Sequence, residues 1–293
     1  MITFTVFGII FLGLGILLYV MSDQIREEVL PSYDDKPCKG TEGSVCNVTL
    51  EIKEKIVAPV YVYYQLDNFY QNHRRYVKSR SFAQLQGSYL TPDKLTDCDP
   101  IIRNKDLQPQ INKFYKAPKN FDPSDLDLPA MPCGLVAKSL FTDTYKLKKE
   151  SGVEITINEK GIAWQSDIDY KFKNFANGTL VNGVAKNWPD VQWWDMTDEH
   201  FIVWMRTAGL PNFRKLYGKI NQDIEPGKYN VEIQNLYDVN GFDGNKSFVL
   251  STTNALGGKN YFLAVCYIVV GSLCLIFAVI FLVAFLKKKN IRR

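Results

Sequence analysis

Apolar residues along this chain follow two different patterns. At both ends they run without interruption. Residues 2–20 carry no charge, and as a helix rising ~1.5 Å per residue they would span about 28 Å, close to the hydrocarbon thickness of a bilayer. Residues 261–286 are also uncharged and would reach about 39 Å, enough to cross with tilt. Both runs predict transmembrane helices. The first is longer than the apolar region of a signal peptide, follows no basic segment and precedes no A-x-A cleavage site.

Between the ends the apolar positions alternate. "VTLEIKEKIVAPVYVYYQL" (48–66) sets Val60, Val62, Tyr64 and Leu66 on one face, and the alternation recurs in "GVEITIN" (152–158), "HFIVWMR" (200–206), "KYNVEIQNLY" (228–237) and "SFVLST" (247–252). Such runs, bounded by Gly, Asn and Pro, predict antiparallel strands with one apolar face each, packed as a β-sandwich. Helices are expected at "DNFYQNHRRYV" (67–77), with Asp67 or Asn68 as N-cap, and at "LPNFRKLYGKI" (210–220), with Pro211 near a first turn. Residues 91–132, rich in Pro, Asp and Asn, predict a long excursion. The chain therefore divides into a transmembrane helix (1–20), one ectodomain (21–260), a second transmembrane helix (261–286) and a short tail (287–293).

Charge orients this arrangement. Lys287, Lys288, Lys289, Arg292 and Arg293 follow the second helix; Asp23, Glu27, Glu28, Asp34 and Asp35, with Arg26 alone opposing them, follow the first. The positive-inside rule puts the C-terminus in the cytosol and residues 21–260 in the lumen or outside the cell. The net charge of +4 resides in the tail: without it, 30 Lys+Arg face 31 Asp+Glu. A near-neutral domain on that side of the membrane excludes a nucleic-acid reading of the basic and aromatic stretch "NFYQNHRRYVKSR" (68–80). That stretch reads instead as structural, with Phe69, Tyr70 and Tyr76 buried and Arg74 and Arg75 paired to acids of the domain or of a partner.

Cys38, Cys46, Cys98 and Cys133 lie in the ectodomain, an even number suited to two disulfides in an oxidising compartment. Three pairings are open, of which the local one is the simplest. Cys266 and Cys274, eight residues apart in the second apolar run, are too far apart along a helix to join each other. Three sequons, at Asn47, Asn177 and Asn245, predict N-linked glycans.

Catalytic signals are sparse. Asp195, Asp198, Glu199 and His200 in "WWDMTDEHF" offer an acid–base pair, but the spacing fits no zinc signature, and His73 is the other of only two histidines. No G-x-S-x-G, H-E-x-x-H or P-loop occurs. Neither catalytic residue, metal nor cofactor is expected. Trp188, Trp193, Trp194 and Trp204 crowd one segment, a core with an interface contribution from Trp193 and Trp194.

Several of these stretches together resemble the cell division control protein 50 family: "LDNFYQNHRRYVKSR" (66–80), "NWPDVQWWDMTDEHFIVWMRTAGLPNFRKLYGKI" (187–220), "GGKNYFL" (257–263) and, more loosely, "CGLVAKS" (133–139). The resemblance covers essentially the whole chain. It implies the β-subunit of a type IV P-type ATPase lipid flippase, a non-catalytic partner and chaperone. Such a subunit is needed for the complex to leave the endoplasmic reticulum for the Golgi, endosomes or plasma membrane. It also supports phospholipid movement from the exoplasmic to the cytosolic leaflet. The resemblance further implies the pairs Cys38–Cys46 and Cys98–Cys133, the latter closing a loop for roughly 3–4 kcal/mol. Family members usually carry a cytosolic N-terminal tail, whereas this chain starts at the helix. Arg74, Arg75, Tyr76, Trp193 and Trp194 are expected to face the ATPase. So are the small residues Gly8, Gly13, Gly15, Gly271, Cys274 and Ala278 of the two helices, which permit close approach in lipid. A cell-surface receptor or adhesion glycoprotein, and an ectoenzyme acting through His200, are the competing readings.

Overall fold

The computed structural model describes residues 2–34, 37–40, 43–107, 125–254 and 257–291. Asp35, Arg292, Arg293 and residues 108–124 of the predicted excursion lie outside the described residues. The chain forms two compact units, Met1–Glu27 with Ser251–Arg293, and Glu28–Leu250.

In the first unit, α1 (Ile2–Asp23) packs against α9 (Phe262–Ile291). Both are long and apolar enough to cross a membrane, and most of each surface is uncovered. The pair is antiparallel, with Phe4 against Phe277 and Phe281, Phe11 against Tyr267 and Tyr19 against Tyr261. The Ser22 hydroxyl accepts the Asn260 N–H at 2.8 Å, and the Asn254 amide donates to the Met21 carbonyl at 2.8 Å, closing one end of the pair.

The second unit is built on β1 (Glu27–Leu30), β2 (Val45–Ile52), β3 (Val60–Leu66), β4 (Thr144–Lys149), β5 (Glu154–Ile155), β6 (Thr179–Val181), β7 (Val184–Lys186), β8 (Phe213–Ile220), β9 (Gly227–Gln234) and β10 (Lys246–Ser251). Its short helices are α2 (Arg74–Lys78), α3 (Phe82–Leu85), α4 (Asn104–Leu107), α5 (Leu135–Lys138), α6 (Gln165–Tyr170), α7 (Trp188–Val191) and α8 (Glu199–Met205). Two four-stranded sheets, ordered β1-β10-β3-β8 and β2-β9-β4-β5, share one core, and β6 and β7 form a separate ribbon. The pairs β2–β9, β3–β8, β4–β9 and β4–β5 are antiparallel. Alternation set the faces: Val60, Val62, Tyr64 and Leu66 all point inward from β3, and Cys46, Val48, Leu50 and Ile52 from β2. Removing these side chains from water is the main favourable contribution to the fold.

Two segments exchange the states expected of them. Residues 199–205 are helical, and 213–220 are a strand. "HFIVWM" is apolar at nearly every position, so period alone does not separate strand from helix. Asp198 decides it as N-cap, its carboxylate accepting the His200 N–H, and Phe201, Ile202, Trp204 and Met205 then share a helical face. In β8 the inward positions include Lys215, and a lysine in the apolar series hid the alternation. The expected helix at 67–77 shortens to α2, because Asn68 takes a left-handed φ of 54° that no N-cap adopts. The Asp67 carboxylate binds the Asn245 N–H at 2.5 Å instead.

The expected strand at 152–158 crosses between the sheets. Ile155 pairs with Leu147 on β4, whereas Asn158 bridges Lys219 on β8 through N–H···O distances of 2.8 and 2.9 Å. The crossing depends on Gly218, beside the point where the β3–β8 register shifts. A Cβ there would lie 2.4 Å from Ile157 Cγ2 and 3.1 Å from the Asn158 carbonyl oxygen. Disulfides join Cys38 to Cys46 and Cys98 to Cys133, with Cα separations of 5.6 and 5.7 Å.

Candidate functional site

Gly218 brings Asn158 onto β8, and the next residue, Glu159, reaches the rim of a cavity of about 210 Å³. Tyr64 of β3 and Tyr217 of β8 line it from one sheet, residues 141–144 from the approach to β4, and Trp194, Asp198 and His200 from the segment entering α8. The Tyr64 and Phe141 rings stack at 3.9 Å, nearly parallel. Tyr217 donates to Glu159 Oε1 at 3.2 Å, and Glu159 Oε2 lies 2.9 Å from His200 Nε2. Burial, and then the charge of Glu159, raises the Tyr217 hydroxyl above its ordinary pKa. The structure thus joins His200 to Glu159, 41 residues earlier, a partner that sequence reading missed because no local spacing connects them.

Beneath the cavity lies a saturated polar cluster. Asp143 accepts the N–H groups of Leu236 and Tyr237, both at 2.6 Å, and the Tyr33 hydroxyl at 2.7 Å, and pairs with Lys246 Nζ at 2.8 Å. Lys246 also donates to Asn235 Oδ1 and the Tyr237 carbonyl, both at 2.5 Å. Glu199 has a structural task as well. Its carboxylate accepts the N–H groups of Gly161, Ile162 and Ala163 at 2.8–3.1 Å. Burial works against that charge, but the three donors hold its pKa below the ordinary value. Asp195 accepts from Asn174 and Thr197. Among the described residues, no group of three or more His, Cys, Asp or Glu is placed to hold a metal ion.

The tryptophan segment divides. Trp193 is fully buried and its indole N–H donates to the Pro132 carbonyl at 2.6 Å. This corrects its assignment to a partner surface: it belongs to the core. Trp194 is half-buried at the cavity. Trp164, isolated in sequence and so given no role there, is 63% exposed, with the Arg206 guanidinium stacked 3.6 Å over its ring.

In residues 68–80, Phe69 packs on Trp204, Phe213, Phe242 and Tyr76. The Tyr76 hydroxyl lies 2.7 Å from Ser139 Oγ. Tyr70, expected inside, is 58% exposed: the turn at 68–71 spends its inward position on Gln71, whose amide oxygen accepts the Ala208 N–H. Arg74 and Arg75 are exposed, and no ion pair reaches either among the described residues. The turn that carries Tyr70 is tied to the segment of the exposed Leu210, since Phe69 N–H bonds Pro211 O and the Asn72 amide bonds Gly209 O.

The helix glycines also change role. A Cβ on Gly8 would lie 2.6 Å from Leu275 Cδ2, and one on Gly271 would lie 2.8 Å from the Leu12 nitrogen. Gly8, Gly15, Gly271 and Ala278 are buried, and at Gly8, Gly15 and Gly271 the neighbours belong to the chain's other helix, which displaces the expectation that these glycines meet a partner. Cys274 is half-buried. Gly13 alone of the four helix glycines named has open space around it, with nothing within 4 Å.

Asn47 and Asn177 are exposed. Asn245 is half-buried, its amide donating to the Asp67 carboxylate at 3.1 and 3.3 Å and its Oδ1 accepting from Ser32 at 3.1 Å.

Residues 22–291 match the LEM3 (ligand-effect modulator 3) family / CDC50 family. The chain is 40% identical over 305 residues to ALA-interacting subunit 3 of Arabidopsis thaliana, covering 98% of this chain and 80% of that protein. It is 36% identical over 326 residues to Cell cycle control protein 50A of Mus musculus, with 98% and 83% covered. It is also 36% identical over 328 residues to Cell cycle control protein 50B of Homo sapiens, with 97% and 86% covered.

Proposed function

This chain belongs to the LEM3/CDC50 family, and from that membership we propose that it is the non-catalytic accessory subunit of a type IV P-type ATPase phospholipid flippase. The observation that carries the reading is similarity over nearly the whole chain to a protein named as an interacting subunit. Two largely uncovered apolar helices around a disulfide-bonded domain support it, since such helices have surface left for a partner in lipid. The chain escorts the ATPase out of the endoplasmic reticulum and supports lipid movement toward the cytosolic leaflet, with its ectodomain luminal or extracellular and its tail cytosolic. Purification in mild detergent tests this, with mass spectrometry of what accompanies the chain. A P-type ATPase in near-equal amount is the expected result. Recovery of the chain alone, or with adhesion proteins, returns the receptor reading.

Arg74 and Arg75, with Tyr70 and Leu210 beside them, form the exposed face we assign to the ATPase's exoplasmic loops. The double change Arg74→Glu/Arg75→Glu should reduce co-purification severalfold while leaving the thermal midpoint of the chain unchanged. Equal recovery removes this face from the interface. Asn47 and Asn177 are exposed and are bonded at their amide oxygens, by Asn230 and by the Trp188 N–H, whereas Asn245 donates its amide nitrogen, the atom a glycan would join, to Asp67. Glycopeptide mass spectrometry should find sugar at Asn47 and Asn177 and little at Asn245; full occupancy at Asn245 would contradict the hydrogen bonds it makes.

A further inference from the structure

We propose that the cavity lined by Tyr64, Phe141, Trp194 and Tyr217 is a small-molecule site and that it binds an organic ammonium group. Its walls are aromatic: Tyr64 and Phe141, stacked on each other, with Tyr217 and the half-buried indole of Trp194. Ring faces carry partial negative charge, and several rings around one space attract a cation that is bulky and weakly hydrated. The ionisable groups agree in sign. Asp143, Glu159 and Asp198 line the space with His200, and no lysine or arginine lines it.

These carboxylates are not equivalent. Asp143 is taken up by Lys246, Tyr33 and two backbone N–H groups, so it forms a neutral floor. Glu159 and Asp198 stand nearer the mouth. The Glu159 side chain is 45% exposed and touches His200 and Tyr217; Asp198 receives the His200 N–H at 3.3 Å. A cation among the rings would have these two as counter-charges. The volume, about 210 Å³, falls below the roughly 300–1,000 Å³ of sites for drug-sized ligands. It suits a headgroup-sized amine rather than a whole lipid or a sugar chain.

The test uses the full chain in detergent and choline chloride as the probe, followed by calorimetry and by tryptophan fluorescence. Choline should bind with millimolar or better affinity. Its uncharged isostere, with tert-butyl in place of trimethylammonium, should bind about tenfold more weakly. The variant Glu159→Gln/Asp198→Asn keeps the hydrogen-bonding shapes, and asparagine caps a helix as well as aspartate; it should lose about tenfold in choline affinity. Absence of choline binding overturns the proposal. So does equal binding of the isostere, a comparison made on the unaltered chain and therefore independent of whether any variant folds. Competition by phosphatidylcholine nanodiscs, but not by phosphatidylglycerol nanodiscs, identifies a lipid headgroup as the source; lack of competition identifies a free amine. Either source upholds the site.

Discussion

Among the described residues of the ectodomain two lysines are buried, each in a different manner. Lys246 is 1% exposed and meets a full set of acceptors, Asp143 among them. Lys215 Nζ donates to the carbonyls of Val203, Trp204 and Arg206, satisfying the C-terminal end of α8. Burial, aided by the Arg206 charge, brings the Lys215 ammonium down to about 7. Lys246→Met would leave Asp143 charged and buried without its cation, at a cost of about 3–5 kcal/mol. Thermal unfolding of the full chain in detergent, followed by tryptophan fluorescence, measures the loss. A drop smaller than about 1 kcal/mol would mean that Asp143 is satisfied by its N–H and hydroxyl donors alone. Neither burial was legible in the sequence, where a lysine reads as solvent-facing unless its acceptors are known: those of Lys215 are carbonyls at the end of a helix read there as a strand, and the Asp143 partner of Lys246 lies about a hundred residues away.

At the scale of elements, legibility depended on which force decided each one. β2, β3 and β9 were readable because hydrophobic burial alone fixed their faces. The α8–β8 region was misread because a cap, Asp198, and a buried cation, Lys215, outweighed the apolar pattern. The helix pair was readable as two apolar runs, but its seam was not, since a small residue can face a partner chain or the chain's own second helix. Close approach at Gly8 and Gly271 settles the seam. Gly271→Leu should therefore force α1 and α9 apart and destabilise their pairing by about 1–3 kcal/mol. Gly13→Leu, in open space, should leave it intact. Limited proteolysis and thermal midpoints of both variants in detergent separate the two cases, and equal behaviour would place the seam elsewhere.

For the whole molecule, the division into end helices and a cysteine-bearing domain was plain from hydropathy and charge. Strand order was not. β10 inserts between β1 and β3 although some 180 residues separate it from β3, and no local pattern encodes such a pairing. The cavity was equally hidden, because its rim joins Glu159, Asp198 and Tyr217 from three separate segments. Residues 28–250 contain their own core and both disulfides. Secreted without the helices, this fragment should unfold in a single cooperative transition reported by the buried Trp193 and Trp204. A broad, non-cooperative loss of signal would show that the helices are needed to complete the fold.

The tripeptide at 245–247 adds a dimension of time. It is a sequon whose asparagine hydrogen-bonds a distant aspartate and whose middle residue, Lys246, is held in an ion pair. An enzyme that reads this sequon would find the asparagine amide free of Asp67 only before these hydrogen bonds close. Sugar transfer and strand closure would thus compete for one segment, and the low occupancy expected at Asn245 would mean that closure comes first.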